Sequence, residues 1–158
     1  MRKTERKKIA IGSDHGGFEL KESLKKYLGK KGYRVLDVGT YSEERCDYPD
    51  FIERLYSVYK KEKLKKAIFI CKTGIGSVMC LNKFPGFRAA GVYNEDMAKF
   101  SRRHNDANVI VFGAKYTSSK NAQRLLEIWL DTNFEGGRHR RRINKFRKIE
   151  RGKFPTIK

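Results

Sequence analysis

The run Ala67-Ile68-Phe69-Ile70-Cys71-Lys72-Thr73-Gly74-Ile75-Gly76-Ser77 is the part of the chain around which the rest can be placed. Ala67 to Ile70 is a short apolar run without alternation, the pattern of a buried strand. Cys71 closes it. Lys72 to Gly76 reads as a glycine-spaced loop, with a helix starting near Ser77. A strand ending in a reactive side chain, then a glycine turn, then a helix N-terminus sets backbone N–H donors beside a base or nucleophile. Such donors and the helix dipole favour negative charge, so chemistry that passes through an oxyanion suits the place.

Working outward, the same alternation repeats. Lys8 to Ser13 is a strand candidate followed by an Asp14-His15-Gly16-Gly17 turn. Phe18 to Lys31 carries helical spacing through Leu20, Leu24, Tyr27 and Leu28, and Gly32 ends it. Arg34 to Val38 is a second strand, and a polar loop from Gly39 to Tyr48 leads to Pro49, suited to a helix's first turn. Phe87 to Val92 and Asn108 to Phe112 supply strands four and five. Asn94 is a natural cap for a helix over 96–103, and Ser118 or Ser119 for the next one, which turns Leu125, Leu126 and Trp129 inward. A basic segment, helical to about Glu150, follows Gly137. Five strand–helix alternations predict an α/β fold, a three-layer α/β/α sandwich on a five-stranded parallel sheet of Rossmann-like kind. In such sheets the site lies outside the carboxyl ends of the strands, here at Asp14-His15, Cys71 to Gly76, Tyr93-Asn94 and Gly113.

Composition narrows the class. The 158 residues suit a single domain, 1–158, with a basic C-terminal helix and tail over about 138–158. The chain is 39% hydrophobic and 35% charged, too apolar for a disordered polymer. No apolar run approaches the ~20 residues of a membrane span, and Met1 to Arg6 has no signal-peptide core, so a soluble, cytoplasmic protein without a membrane partner is expected. The net charge of +19 admits anionic small molecules or nucleic acid as partners. The lysines are scattered, however, and no helix-turn-helix or aromatic-rich RNA-binding signature accompanies them. Cys46, Cys71 and Cys80 show no paired spacing, which argues for free thiols; three unpaired His residues give no zinc pattern. No cofactor is expected.

Several residues admit two readings from pattern alone. Cys71 is either a base or nucleophile, or a buried structural thiol. Asp14 and His15 either bind a hydroxyl or phosphate, or cap the following helix. His104-Asn105-Asp106 either holds a proton donor or initiates a turn. Arg138 and Arg142, four apart on a helix, share a face that either clamps a phosphate or is simply solvated. Tyr48 either covers a pocket or packs before Pro49.

Taken together, Gly12 to Phe18, Asp47-Tyr48-Pro49, Cys71-x-Thr73-Gly74-Ile75-Gly76, Asn82-Lys83-Phe84, His104 to Asp106, Phe112-Gly113 and Glu135 to His139 resemble the type B ribose-5-phosphate isomerases. That family also holds allose-6-phosphate isomerases and galactose-6-phosphate isomerase subunits. The resemblance spans about residues 7 to 150. It implies metal-free aldose–ketose isomerisation, with D-ribose 5-phosphate and D-ribulose 5-phosphate as the pair and a six-carbon aldose 6-phosphate as the alternative. A nucleic-acid binder on the same fold is the remote alternative. It also implies a homodimer, or dimer of dimers, with each site shared between subunits. Carried onto this chain, Cys71 corresponds to the base with Thr73 beside it, and His104, helped by Asp14, to the ring-opening acid. Lys72, Gly74, Ile75 and Gly76 match the anion hole. His15, Arg138 and Arg142 match phosphate ligands, Asn105 a ligand of the sugar hydroxyls, and Tyr48 a pocket wall. Lys115 falls where an Arg contact is common, and Lys72 where Gly is common. The second departure means backbone strain if Lys72 needs a positive φ, and an added cation if it does not.

Overall fold

The computed structural model describes residues 7–154; Met1 to Arg6 and the last four residues of the basic tail lie outside the described residues. Its strands are β1 (Lys8–Ser13), β2 (Arg34–Asp37), β3 (Ala67–Cys71), β4 (Ala89–Gly91) and β5 (Val109–Gly113). All pair in parallel, in the order β2-β1-β3-β5-β4. Parallel strands need crossover connections, and helices α1 (Phe18–Lys30), α2 (Tyr48–Lys61), α3 (Ile75–Leu81) and α4 (Glu95–Arg103) supply them. Helices α5 (Ser119–Asp131) and α6 (Gly137–Glu150) follow β5.

The pleat sorts side chains between two cores. Ile9, Ile11, Ile68, Ile70, Ile110 and Phe112 meet α1, α4 and α5 on one face, through Leu24, Leu28, Ala98, Leu125 and Trp129. Ala10, Phe69, Cys71, Val109 and Val111 meet α2 and α3 on the other, through Phe51, Ile52, Leu55 and Leu81. The three layers are therefore present. Strands buried on both faces read as unbroken apolar runs because neither side faces water, and each fully buried Ile or Leu contributes about 1.5–3 kcal/mol.

Element boundaries shift from the sequence expectation in four places. α3 begins at Ile75, one residue after the left-handed Gly74, rather than at Ser77. β4 shrinks to Ala89–Gly91; at its start the Arg88 N–H donates to the Asn108 side chain, while the Arg88 carbonyl is shared between the Asn108 and Val109 N–H groups. β5 runs to Gly113 because Cys71 pairs with it. A 3-10 turn, His15–Gly17, precedes α1.

Two contacts set the loops at the carboxyl end of the sheet. Fully buried Lys21 bonds Asp37 at 2.7 Å, and Asp37 also accepts from Gly39 N–H at 2.9 Å. Ser13 N–H donates to Gly39 O and Thr40 N–H to Ser13 O. The segment leading to Tyr48 is thereby held beside the end of β1.

Candidate active site

Cys71 is 5% exposed, on the α2/α3 face of β3. The Gly74 N–H donates to its sulfur at 3.1 Å. Gly74 has φ of +81°, the left-handed conformation that lets the chain turn back over the sulfur and enter α3. A Cβ there would also sit 2.6 Å from Tyr93 Oη, and one on Gly76 would sit 2.5 Å from Tyr48 Oη. Two tyrosine hydroxyls thus pack against the glycines.

Thr73 closes the turn, its hydroxyl accepting from Ile75 N–H at 3.4 Å. Tyr93 donates to the Thr73 carbonyl. Burial, then the Cys71 and Tyr116 side chains, push the Tyr93 phenol above its ordinary pKa, so it stays a neutral donor at physiological pH. Tyr93, just beyond β4, lies at one of the strand ends where the sequence places the site, and its hydroxyl packs against this loop.

Beside the loop, a cavity of about 600 Å³ is lined by His15, Lys72, Lys115 and Thr117, with Glu19 and Glu43 on its rim. Lys115 N–H donates to Lys72 O and Ala114 N–H to Cys71 O, each at 2.9 Å, so the two loops continue the β3–β5 ladder. Lys72 does not have a positive φ. Of the two consequences considered for it, backbone strain is removed and the added cation remains. Asp14 is 7% exposed and accepts from Gly17 N–H at 3.1 Å, so the capping reading holds for it. Burial raises its pKa, against the opposing pull of His15 and the Gly17 and Gly16 N–H groups. His15 Nδ1 lies 3.2 Å from the Cys46 carbonyl.

The remaining candidates gather elsewhere. His104 caps α4 and precedes β5 by five residues, whereas Cys71 is level with the last residue of β5. At ~3.3 Å per residue, β5 alone separates these levels by roughly 13 Å. Asn105 follows His104 and bonds the Phe100 carbonyl at 3.2 Å. Arg138 and Arg142 are exposed on α6, flanking its buried residues His139 and Ile143. Their charges, with burial and His104 ahead of them, push the His139 pKa down. One chain therefore carries two groups of candidates. Asp14, His15, Tyr48, Lys72, Thr73, Gly74, Ile75, Gly76 and Lys115 lie with Cys71 on the loops at the carboxyl end of the sheet; Asn105 adjoins His104, and Arg138 and Arg142 adjoin His139, which stacks on His104.

Glu135 and His139 belong to the second group and were given no role from sequence, although both sit in a quoted motif. The ligand atoms of His104, Glu135 and His139 lie within 4.8 Å of one another. The two imidazoles stack at 4.2 Å with 9° between their planes. Their in-plane lone pairs therefore run parallel and do not converge on one ion.

The ribose/galactose isomerase family model matches residues 9–146. The chain belongs to this family. Ribose-5-phosphate isomerase B of Escherichia coli is 39% identical over 144 residues, covering 91% of this chain and 97% of the relative. The ribose-5-phosphate isomerase B structure from Clostridium thermocellum superposes with a TM-score of 0.89 at 43% identity, covering 92% of this chain and 98% of that one. The Thermotoga maritima ribose 5-phosphate isomerase gives 0.86 at 42%, covering 89% and 97%. The family members share the five-stranded α/β architecture described above.

Proposed function

We propose that this chain interconverts D-ribose 5-phosphate and D-ribulose 5-phosphate, with Cys71 as the proton-transferring base. The observation that carries the mechanism is the Cys71 sulfur held at 3.1 Å under the Gly74 N–H, at the left-handed turn that leads into α3. The furanose ring opens first: the C1–O4 bond breaks, His104 gives a proton to O4, and the C1 hydroxyl loses one, leaving an aldehyde. The Cys71 thiolate then removes the C2 proton. The electron pair forms the C1–C2 double bond and O1 becomes an oxyanion, which the loop donors receive; fixed donors of this kind are each worth ~100-fold or more in rate. The Cys71 thiol returns its proton to C1, and the O2 proton passes to O1, which gives the ketose and restores the thiolate. His15 and Lys115 bind the phosphate from one side, and Arg138 and Arg142 from the other.

Assembly follows from the separation of the two groups. In a homodimer, or a dimer of dimers, the His104 group of one copy completes the Cys71 group of the next. Ile75 and Met79, one turn apart on α3, are 57% and 64% exposed beside the loop and supply an apolar surface for that contact. Work in the cytoplasm is part of the same proposal, and three free thiols fit a reducing compartment.

Turnover of ribose 5-phosphate by the purified protein tests the activity. Subunit mixing tests the shared site. Cys71→Ala and His104→Ala chains, each inactive alone, should regain about a quarter of wild-type turnover on random reassortment, because half the dimers then hold one intact site. A mixture that stays inactive while subunits exchange would refute the shared site.

A further inference from the structure

The His104 ring has three close neighbours. Phe100 lies 4.8 Å away, tilted 33°, and His139 lies 4.2 Å away, nearly parallel. Glu135 Oε2 is 3.9 Å from His104 Nε2. Glu135 is itself fixed twice: Arg103 Nη2 pairs with its carboxylate at 3.1 Å, and its N–H donates to the Arg103 carbonyl at 3.0 Å. His139 is 4% exposed, and its Nε2 has no hydrogen-bond partner among the described residues. A buried ring nitrogen without a partner costs free energy, so this ring is kept for its face rather than for its edge.

We propose that Glu135 and His139 are positioning residues that fix the His104 imidazole at the angle needed to protonate the sugar ring oxygen, a role that rests on the reading of His104 as the ring-opening acid. The reasoning is electrostatic and geometric. The charged groups gathered at this corner are Arg103, Glu135, Arg138 and Arg142. Three are cations, and without the carboxylate they would oppose an imidazolium. Burial, then His104, then Arg138 push the His139 pKa down, so His139 stays neutral. A flat neutral ring can lie against a cation without repulsion. His104 also ends α4, its N–H bonded to the Phe100 carbonyl, at the helix terminus that favours positive charge. The stack sets the ring plane, and the carboxylate, 3.9 Å from Nε2 and beyond hydrogen-bond length, biases the rotation within that plane by its charge.

The chemistry offers a readout that a merely structural role would not move. Ribose 5-phosphate reaches the enzyme as a furanose and must be opened. Ribulose 5-phosphate cannot form the corresponding ring, because O5 is esterified, and it arrives open. Entry of deuterium from heavy water at C1 of the ketose therefore reports proton transfer by Cys71 without ring opening. Glu135→Gln and His139→Ala should lower kcat on ribose 5-phosphate by about 10-fold or more. KM should stay within about 2-fold and the exchange rate within about 3-fold, since neither binding nor the base is touched. His139→Phe, which keeps a flat ring and removes both nitrogens, should keep at least about half of wild-type kcat. Unchanged kcat in Glu135→Gln and His139→Ala, or equal losses in turnover and exchange, would overturn the proposal while leaving the isomerase reading intact. A fully active His104→Ala enzyme would instead remove the parent reading, and the proposal with it.

Discussion

The two candidate regions are built from opposite materials. Around Cys71 the working groups belong to the main chain, held by glycines, by a sulfur and by two tyrosine hydroxyls. Around His104 they belong to side chains: two stacked imidazoles, a carboxylate and arginines, most of them on the surface. The first region is rigid and short of cations that fork onto a phosphate. The second is rich in such cations and has no anion hole. Each lacks what the other holds, and this is the physical reason that one copy of the chain is read as half of each of two sites.

The sharpest way to break this comparison is at the sulfur. Cys71→Ala should lower isomerase turnover by about 1,000-fold or more, with circular dichroism and thermal midpoint close to wild type, because a base is lost and a nearly isosteric apolar group replaces it. Measurable turnover near the wild-type level would deny the first region its role. Next comes the loop. Gly74→Ala combines a positive φ with a contact on Tyr93 Oη, and should cost about 1–2 kcal/mol in denaturant unfolding and about 100-fold in kcat through the displaced donor. Gly76→Ala sharpens the point, since Gly76 has no positive φ and the obstacle is the end of the Tyr48 ring, its hydroxyl at 2.5 Å and Cζ at 2.8 Å. It should lose about 10-fold in kcat, and Gly76→Ala with Tyr48→Leu, which removes both atoms, should recover part of that. The pair Gly74→Ala with Tyr93→Phe should recover little, because the φ strain remains.

The smallest effect is expected in stability, at the end of the sheet nearest His104. Lys66, just before β3, donates to the Leu130 carbonyl, and burial followed by Arg102 lowers its pKa to about 8. Lys7 also lowers it, while Asp131 and Asp106 act in the opposite sense. The unfolded chain keeps the ordinary lysine value, so between about pH 8 and 10.5 it binds more protons than the native state. Stability from this group therefore rises with pH through that window. After allowance for solvent screening the gain is on the order of 1–2 kcal/mol. Lys66→Met should flatten the rise, measured as unfolding free energy at pH 7 and pH 9.5. An identical rise in the variant would show that the positive end of the molecule is not strained by its own charge.

The difference between the regions also governs what the chain's letters disclose. Strand β3, the glycine loop and the thiol are consecutive, so Ala67 to Gly76 announces both a fold element and a site in one reading. Asp14 shows the limit of that method: cap and ligand use the same residue at the same place, and the Gly17 N–H bond fulfils the capping role. His104, Asn105, Arg138 and Arg142 are some 35 residues apart in two blocks, and no local pattern says that they meet. Their grouping came from resemblance. The stack on His139 and the carboxylate of Glu135 beside His104 are visible only in three dimensions, since ring orientation has no signature in residue order. β4 is shorter than its apolar run, because the Arg88 N–H turns to the Asn108 side chain and its guanidinium to Asp106, bonds that residue order does not announce.

The continuation of the β3–β5 ladder through Ala114 and Lys115 reaches beyond architecture. Loops that receive an anion usually freeze when it arrives, and affinity is lost to that freezing. Here the segments at Cys71–Lys72 and Ala114–Lys115 are stitched together before any sugar enters, so the ordering is completed during folding. The amide hydrogens of Ala114 and Lys115 would then exchange with solvent as slowly as those of the central strands, and saturating substrate would slow them little further.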